Sequence, residues 1–219
     1  MRNSRGFTLI EIIVAVTLVA ILSAAVAPSV LNNISQGRIA RTQSDVQAIA
    51  SAVMKFKSET GKFPNLVMPG DPDSSQTLDF LATASVADDL PNKGGTNWPE
   101  ALTSGSYASG STETVANHLI LGLTDNGTAS IDSYPRIPAG ANADDPTVVG
   151  FRSGLISSAP LDPWGHAYLI NVASLDSLSG NPVWVISAGP NGLMQTDIEA
   201  TGTDAETTLG GDDIGFRVK

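Results

Sequence analysis

The chain has 219 residues, of which 12 are Lys or Arg and 22 are Asp or Glu, so its formal net charge at pH 7 is -10. This acidity argues against binding to nucleic acid or to anionic lipid headgroups, because both need a basic surface. The sequence has no cysteine and two histidines, which excludes disulfides, cysteine–zinc sites and thiol catalysis and leaves little for a histidine-based site.

The charge is divided unevenly along the chain. Residues 1–65 carry seven basic and three acidic side chains, whereas residues 66–219 carry five basic and nineteen acidic ones. A near-neutral apolar stem therefore precedes a strongly acidic body. Self-repulsion keeps such a body soluble, and its acidic loops are candidates for binding hard cations.

A short basic leader, MRNSRG, precedes a long apolar segment that begins at Phe7. The 20 residues from Ile12 to Leu31 carry no charge, and as a helix they would span about 30 Å, the thickness of a bilayer core. We therefore predict a membrane-spanning helix. A cleaved secretory signal is the alternative, but the apolar run is longer than a signal core and Pro28 would directly follow the Ala-Val-Ala cleavage site.

Glu11 lies near the start of this apolar segment, with no Lys or Arg within one helical turn. A carboxylate inside a membrane helix costs about 3 kcal/mol at the centre and less near the end. Two interpretations are equally supported by the residues. The carboxylate either pairs with a free amine made by a cut before Phe7, in the same chain or a neighbouring one, or it snorkels to the interface and favours the helix-start dipole.

The string RGFTLIE at residues 5–11, followed by the apolar run, resembles the leader of type IV pilins and type II secretion pseudopilins. The resemblance implies that a prepilin peptidase cuts between Gly6 and Phe7 and methylates the new amine of Phe7. It implies that Glu11 is the carboxylate that guides assembly and that Pro28 is the helix-breaking proline of the family. The implied fold is α+β and pilin-like, with a long N-terminal spine helix packed on a small antiparallel C-terminal β-sheet.

The apolar pattern continues past the membrane segment as a one-sided stripe. Its members follow the i, i+3, i+4, i+7 spacing of an amphipathic helix and are Val46, Ile49, Ala50, Val53 and Phe56 or Lys57. We predict one spine helix from Phe7 to Ser58 with Gly61 at its C-terminal cap. Residues 1–6 form the cleaved leader, residues 7–31 the membrane and assembly half of the helix, and residues 32–64 its soluble half.

Residues 65–160 are rich in Gly, Ser, Thr, Asp and Pro and predict a variable, loop-rich insertion. Short helices are predicted at residues 78–81 and 116–123, and Asn126-Gly127 is interpreted as a turn, not as a glycosylation site. This insertion is longer than the resemblance leads us to expect. We interpret it as surface decoration in preference to a partner-binding surface, because loops tolerate insertion easily.

Residues 161–219 carry a second motif and the predicted sheet. The string LDPWGHAY at residues 161–168 predicts a tight turn, and it resembles the signature of type II secretion major pseudopilins. Three antiparallel strands are predicted, at Ala167–Val172, Val183–Ser187 and Asp213–Val218.

The side chains of the second motif are assigned to the core or to the surface by whether they are apolar or polar. Trp164 and Tyr168 are expected in the core against the spine helix, and His166 at the surface. A catalytic pair of His166 with Asp162 would lack a nucleophile.

The loop between the second and third predicted strands offers the oxygen ligands that Ca²⁺ prefers. These are Asn191, Asp197, Glu199, Asp204, Glu206, Asp212 and Asp213. The strings SAGPNG and GGDDI resemble the calcium loop of the family, which implies Asn191, Asp212 and Asp213 as side-chain ligands and Ser187 with loop carbonyls in support. The family often has Asp at the place of Asn191, which should weaken binding here. An acidic solvated loop is the alternative.

The resemblance implies a structural, non-enzymatic subunit of a periplasmic pseudopilus that drives protein export by type II secretion. It would cross the inner membrane once, with its C-terminal domain in the periplasm. The implied partners are the prepilin peptidase and methyltransferase, copies of the same chain in a helical filament, minor pseudopilins and the inner-membrane secretion platform, with no nucleic acid. Alternatives are a type IV pilus subunit for adhesion or motility, a minor tip pseudopilin, or an uncleaved membrane-anchored binding module.

Overall fold

The computed structural model describes residues 7–61, 63–64, 80–83, 90–93, 112–114, 155–156, 160–172, 175, 182–196 and 209–218. Within these residues the chain forms one long helix, seven short strands and a 3₁₀ turn. The chain divides into two compact units, Met1–Ala40 and Arg41–Lys219.

Helix α1 runs from Leu9 to Thr60, which confirms the predicted spine helix and nearly its bounds. It ends where Gly61 takes a left-handed φ of 73° and donates its N–H to the Lys57 carbonyl at 2.8 Å. A left-handed residue after the last turn is the usual C-terminal stop of a helix. Pro28 lies inside the helix, which remains helical on both sides of it.

The N-terminal part of α1 is apolar and exposed. Its most apolar 18-residue window has a mean hydropathy of 2.7, none of its residues is buried, and its length and composition suit a membrane span. The side chains of Ile12 and Leu22 are 52% and 64% exposed. Apolar surface on this scale needs lipid or other protein to cover it, which is consistent with a membrane anchor.

The C-terminal part of α1 buries one face, as the apolar stripe predicted. Val46, Ile49, Val53 and Phe56 are at most 2% exposed and belong to the main hydrophobic core. Burial of such side chains stabilises by roughly 1.5–3 kcal/mol each. The C-terminal part of the spine helix therefore forms one side of the main hydrophobic core.

A five-stranded sheet packs against this face. Its strands, in chain order, are β1 Phe80–Ala82, β3 Thr112–Thr114, β4 Leu169–Asn171, β5 Trp184–Ser187 and β7 Ile214–Arg217. The spatial order is β3-β1-β4-β5-β7, and every pairing is antiparallel except that of β1 with β3. The three predicted C-terminal strands are confirmed, each shorter than predicted. Two further strands, β2 Asn92–Lys93 and β6 Leu193–Met194, pair in parallel.

The central strands of the sheet are covered on both faces. Alternate residues of β4 and β5 divide between two hydrophobic clusters, with Ile170 and Val185 in the cluster of the spine helix and Leu169 and Ile186 in a second cluster. Because successive side chains of a strand point to opposite faces, a strand buried on both sides needs an unbroken apolar run. This explains the apolar character of both strands and adds a second core that the sequence analysis did not predict.

Three predictions about the body are wrong. The predicted helix at residues 78–81 is a strand from Phe80, fully buried and paired on both sides, because sheet pairing outweighs local preference in so short a segment. Surface decoration is therefore the wrong interpretation of residues 80–83. Trp164 is only half-buried and lies outside both clusters, whereas Trp184 is buried.

Tyr168 is fully buried in the spine-helix cluster, as predicted. His166, which was predicted at the surface, is half-buried, with its side chain 27% exposed. The predicted helix at 116–123 and the predicted turn at Asn126-Gly127 lie outside the described residues, as does Gly6 of the predicted cleavage site.

Candidate assembly segment and candidate metal centre

The start of α1 carries an exposed polar cluster made by Thr8 and Glu11. Glu11 Oε2 accepts hydrogen bonds from the Thr8 N–H and the Thr8 hydroxyl, both at 3.3 Å. Thr-x-x-Glu with the acid reaching back to the first residue is half of a capping box, and an acid in the first turn also favours the helix dipole. The monomer therefore uses the Glu11 carboxylate locally. The Thr8–Glu11 spacing is the sequence signal for this cap, which was not among the predictions.

The same carboxylate lies beside the predicted new N-terminus. Phe7 directly precedes Thr8 and is 80% exposed. Hydrogen bonds of 3.3 Å at an exposed site are long and exchange readily with other donors. The structure thus places Glu11 where it caps its own helix and remains accessible to a further donor.

Two loop segments meet near the end of the sheet. The first is the 3₁₀ turn Gly189–Asn191 with Gly192 after it, and the second is residues 210–213, which lead into β7. Gly189 has a φ of 64°, and a Cβ built there would overlap the Asp212 carbonyl oxygen. Only glycine allows both this backbone conformation and this close approach.

Asp213 is the most buried acid of this loop pair, with 6% of its surface exposed. Its Oδ2 accepts hydrogen bonds from the Gln195 N–H at 2.8 Å, the Thr196 N–H at 2.6 Å and the Thr196 hydroxyl at 2.7 Å. Its Oδ1 is buried and has no hydrogen-bond partner. Burial raises the pKa of Asp213; the three hydrogen bonds oppose that rise, and the nearby charge of Asp212 adds to it.

Asp212 shows the same pattern on the neighbouring residue. Its Oδ2 accepts the Asn191 N–H at 3.1 Å, whereas its Oδ1 is buried without a hydrogen-bond partner. The Asn191 side chain is already engaged, because its Oδ1 accepts the Leu193 N–H at 2.7 Å and its Nδ2 donates to Gln195 Oε1 at 2.9 Å. The structure therefore brings Asn191, Asp212 and Asp213 into one hydrogen-bonded region.

Ser187 faces another acid. Its hydroxyl donates to Asp162 Oδ2 at 2.7 Å and accepts the Gly189 N–H at 3.1 Å. Its side chain is thus hydrogen-bonded to Asp162, and its link to the acidic loops runs through the backbone of Gly189.

These residues supply some of the ligands that a hard cation needs. Two buried carboxylate oxygens without partners, on Asp212 and Asp213, are the kind of ligand that Ca²⁺ takes, and a cation would relieve their burial. Among the described residues there is no group of three or more His, Asp or Glu side chains placed to hold a metal ion. Six or more oxygens would therefore require backbone carbonyls, water, or the predicted acids at residues 197–206, which lie outside the described ranges.

The second motif forms the turn that holds Asp162. Asp162 Oδ1 accepts the N–H groups of Trp164 at 2.9 Å and His166 at 2.8 Å, and the Asp162 N–H donates to the His166 carbonyl at 2.8 Å. His166 Nδ1 lies 3.9 Å from the same carboxylate oxygen. Because the Ser187 hydroxyl donates to Asp162 and not to His166, these three residues do not form a nucleophile–base pair.

The chain matches the prokaryotic N-terminal methylation motif over residues 1–27. It is 38% identical to the type II secretion system core protein G of Pseudomonas aeruginosa over 64 residues, which are 29% of this chain and 45% of that protein. It is 30% identical to the core protein G of Klebsiella pneumoniae over 88 residues, 40% of this chain and 57% of that protein. It is 31% identical to that of Vibrio cholerae over 64 residues, 29% and 44% of the two chains. No solved structure matches the chain with significant similarity.

The chain therefore combines a match to the N-terminal methylation motif with a long spine helix and a small, mainly antiparallel sheet, which is consistent with a pilin-like α+β fold. Within that class the chain is similar to the type II secretion system core protein G, which confirms the resemblance found in the sequence. The chain spans about half the length of the curated relatives that it matches.

Proposed function

We propose that this protein is a structural subunit of a periplasmic pseudopilus that drives protein export by type II secretion. The observation that carries the proposal is the exposed apolar half of α1 with a single carboxylate, Glu11, at its start. Such a surface can anchor a monomer in a membrane and can pack against other copies in a fibre. The methylation motif and the similarity to core protein G support this assignment.

Processing would create the polar group that assembly needs. A prepilin peptidase would cut between Gly6 and Phe7 and methylate the Phe7 amine, which leaves one positive charge at the start of the apolar helix. Inside a fibre of such helices Glu11 would be buried. Burial of a carboxylate costs much less free energy when an opposite charge that is hydrogen-bonded to it is buried with it. We propose that the Phe7 amine of one subunit pairs with Glu11 of a neighbour, so that the pair sets the stagger between subunits.

Pro28 would serve the same packing. Proline donates no backbone hydrogen bond, so the Ala24 carbonyl one turn earlier lacks its helical partner. A helix weakened at that point can bend when it packs against neighbouring helices.

The acidic loops would bind Ca²⁺ through Asp212 and Asp213, with Asn191 nearby and Ser187 in support. When bound, the ion would supply positive charge to the two carboxylate oxygens that have no hydrogen-bond partner and would hold the turn at Gly189 against the strand β7. The remaining ligands would come from loop carbonyls or water.

The proposed setting follows from the anchor and the body. The chain would cross the inner membrane once with its acidic body in the periplasm, and it would act without catalysing a reaction. It would contact the prepilin peptidase and methyltransferase, copies of itself, minor pseudopilins and the secretion platform. A type IV pilus subunit would share the same assembly chemistry but serve adhesion or motility.

The test combines processing, assembly and secretion. We expect mass spectrometry of the mature protein to begin at N-methylated Phe7, and deletion of the gene to block export without loss of surface pili. An N-terminus that still begins at Met1 would contradict the proposal and support an uncleaved anchor. Loss of pili with normal export would favour the pilus role.

A matched pair of variants separates the two roles of Glu11. Glu11→Gln removes the charge and should abolish filaments while membrane insertion persists. Thr8→Val removes the hydroxyl of the local helix cap and leaves the carboxylate, so filament yield should stay within about two-fold of the unmodified protein. Equal loss of filaments in both variants would show that helix capping, not pairing between subunits, is what Glu11 supplies.

A further inference from the structure

Asp162 is a buried carboxylate that joins two distant segments of the body. It is 4% exposed. Its Oδ1 accepts the N–H groups of Trp164 and His166 and so shapes its own turn, whereas its Oδ2 accepts the Ser187 hydroxyl at 2.7 Å, 25 residues further along the chain. The two oxygens therefore serve different purposes, one local and one across the fold.

The Ser187 hydroxyl links Asp162 to the acidic loops by a second hydrogen bond. A serine hydroxyl has one proton to donate, and an ionised carboxylate can only accept. Asp162 thus accepts the hydrogen bond of the Ser187 hydroxyl, and the oxygen of Ser187 is left to accept the Gly189 N–H at 3.1 Å. Both partners are buried, and hydrogen bonds that involve a charged group are about twice as strong as neutral ones.

Gly189 begins the turn that reaches the candidate metal ligands. Its α-carbon lies directly against the backbone of Asp212, and the Asn191 N–H donates to Asp212 Oδ2 at 3.1 Å. At the other end of the turn, the ring of His166 packs on Gly192, since a Cβ built there would lie 2.7 Å from the ring Cε1 atom. The Asp162 turn therefore contacts one end of the loop segment 189–192 directly, through His166, and is linked to the other end through Ser187.

We propose that Asp162 and Ser187 are positioning residues of the candidate cation site. In this proposal the turn at residues 162–166 holds the loop 189–192 in the conformation that keeps Asp212 in place at that site. The proposal rests on the cation site of the proposed function. It assigns Ser187 to the support of the loop through Asp162, in place of a direct contact with the ion.

The first test measures the loop without calcium. Amide hydrogen exchange of the full chain in detergent micelles with chelator is compared for the unmodified protein, Ser187→Ala, Asp162→Asn and Thr83→Val. Thr83 is the control, because its buried hydroxyl accepts the Tyr168 N–H at 2.9 Å, directly beyond the last paired residues of β1 and β4. We expect residues 189–192 to exchange about ten-fold faster in Ser187→Ala, the factor for loss of one hydrogen bond to a charged group, and less than about two-fold faster in Thr83→Val.

Asp162→Asn keeps an oxygen for the two N–H groups of its turn but presents a donor to Ser187, so it should also loosen the loop. The double variant of Asp162 and Ser187 should loosen it no more than either single variant, because both act through one path. Unchanged exchange at residues 189–192 in Ser187→Ala would overturn the proposal.

The second test titrates the same proteins with Ca²⁺ by calorimetry. We expect Ser187→Ala to bind about ten-fold more weakly and Thr83→Val to bind within about two-fold of the unmodified protein. Equal weakening in both variants, or normal binding in Ser187→Ala, would overturn the positioning role. If the unmodified protein binds no Ca²⁺ while Ser187→Ala still loosens the loop, the contact path holds and the cation site of the proposed function fails.

Discussion

Replacing Asp213 by Asn should change the free energy of unfolding differently with and without calcium. In the presence of chelator, the asparagine oxygen can still accept the hydrogen bonds of Gln195 and Thr196, and a buried charge beside Asp212 is removed. Burial already raises the pKa of Asp213, so its ionised form is disfavoured there. The variant should therefore be as stable as the unmodified protein or more stable by up to about 1 kcal/mol.

Calcium should reverse this order. At a free concentration of 100 times the dissociation constant, a ligand that binds only the native state adds about 2.7 kcal/mol to stability. If Asp213→Asn weakens binding by about 100-fold, the same concentration adds about 0.4 kcal/mol by the same relation. The unmodified protein should then exceed the variant by about 1–2 kcal/mol. Asp213→Ala, which leaves the donors of Gln195 and Thr196 without an acceptor, should lose about 1–3 kcal/mol with chelator. Its deficit should be larger with calcium, because it also lacks the proposed ligand.

The assay is urea unfolding of the full chain in detergent micelles, followed by the fluorescence of tryptophan, since Trp184 is buried in the second core cluster. Each protein is measured with chelator and with a calcium series. A stability of the unmodified protein that does not change with calcium would refute the cation site. An equal loss for Asn and Ala in chelator would refute the interpretation that Asp213 acts there mainly as a hydrogen-bond acceptor.

Two further predictions concern the contact between spine helix and sheet. Tyr168 donates its hydroxyl to Asp45 at 2.9 Å, and burial, followed by Asp45, raises its pKa well above the ordinary value of 10.0, so the native state holds this proton more tightly than the unfolded chain. That contribution to stability is complete below pH 10 and is lost as the pH rises above it. The free energy of unfolding, measured with urea, should therefore fall more steeply above pH 10 in the unmodified protein than in Tyr168→Phe. Parallel dependence of this free energy on pH in the two proteins would contradict this cause. Phe56→Ala should lower the free energy of unfolding by about 3–5 kcal/mol, because the ring is fully buried, whereas Met54→Ala, 49% exposed two residues earlier, should change it by less than about 0.5 kcal/mol; similar losses in the two variants would show that Phe56 is not a core residue.

The long insertion is part of the structure of the body. Its strand β1 lies between β3 and β4 in the central sheet, and β2 pairs with β6 directly after the turn at Gly189. The Asn92 N–H donates to the Gly192 carbonyl at 2.9 Å. The insertion therefore supports the same loop that the Asp162 turn supports, from a different part of the chain.

Local signals in the sequence determined the N-terminal third of the protein. The apolar run up to Leu31, the stripe that includes Val53 and the stop at Gly61 each depend on neighbouring residues, since a helix makes its hydrogen bonds within a few positions. The same holds for the three C-terminal strands, whose apolar runs are long enough to recognise, and for the presence of acids near Asp213.

Tertiary structure decided the rest. A strand of three residues such as Phe80–Ala82 has no distinctive local pattern, and its partners lie about 30 and 90 residues away in the chain. Trp184 rather than Trp164 is buried, because the second face of the sheet needs a cover. The free carboxylate oxygens and the contact of Ser187 with Asp162 depend on where three separate turns meet in space. The spacing of residues in the sequence does not predict such contacts, because they form only when distant segments of the chain pair.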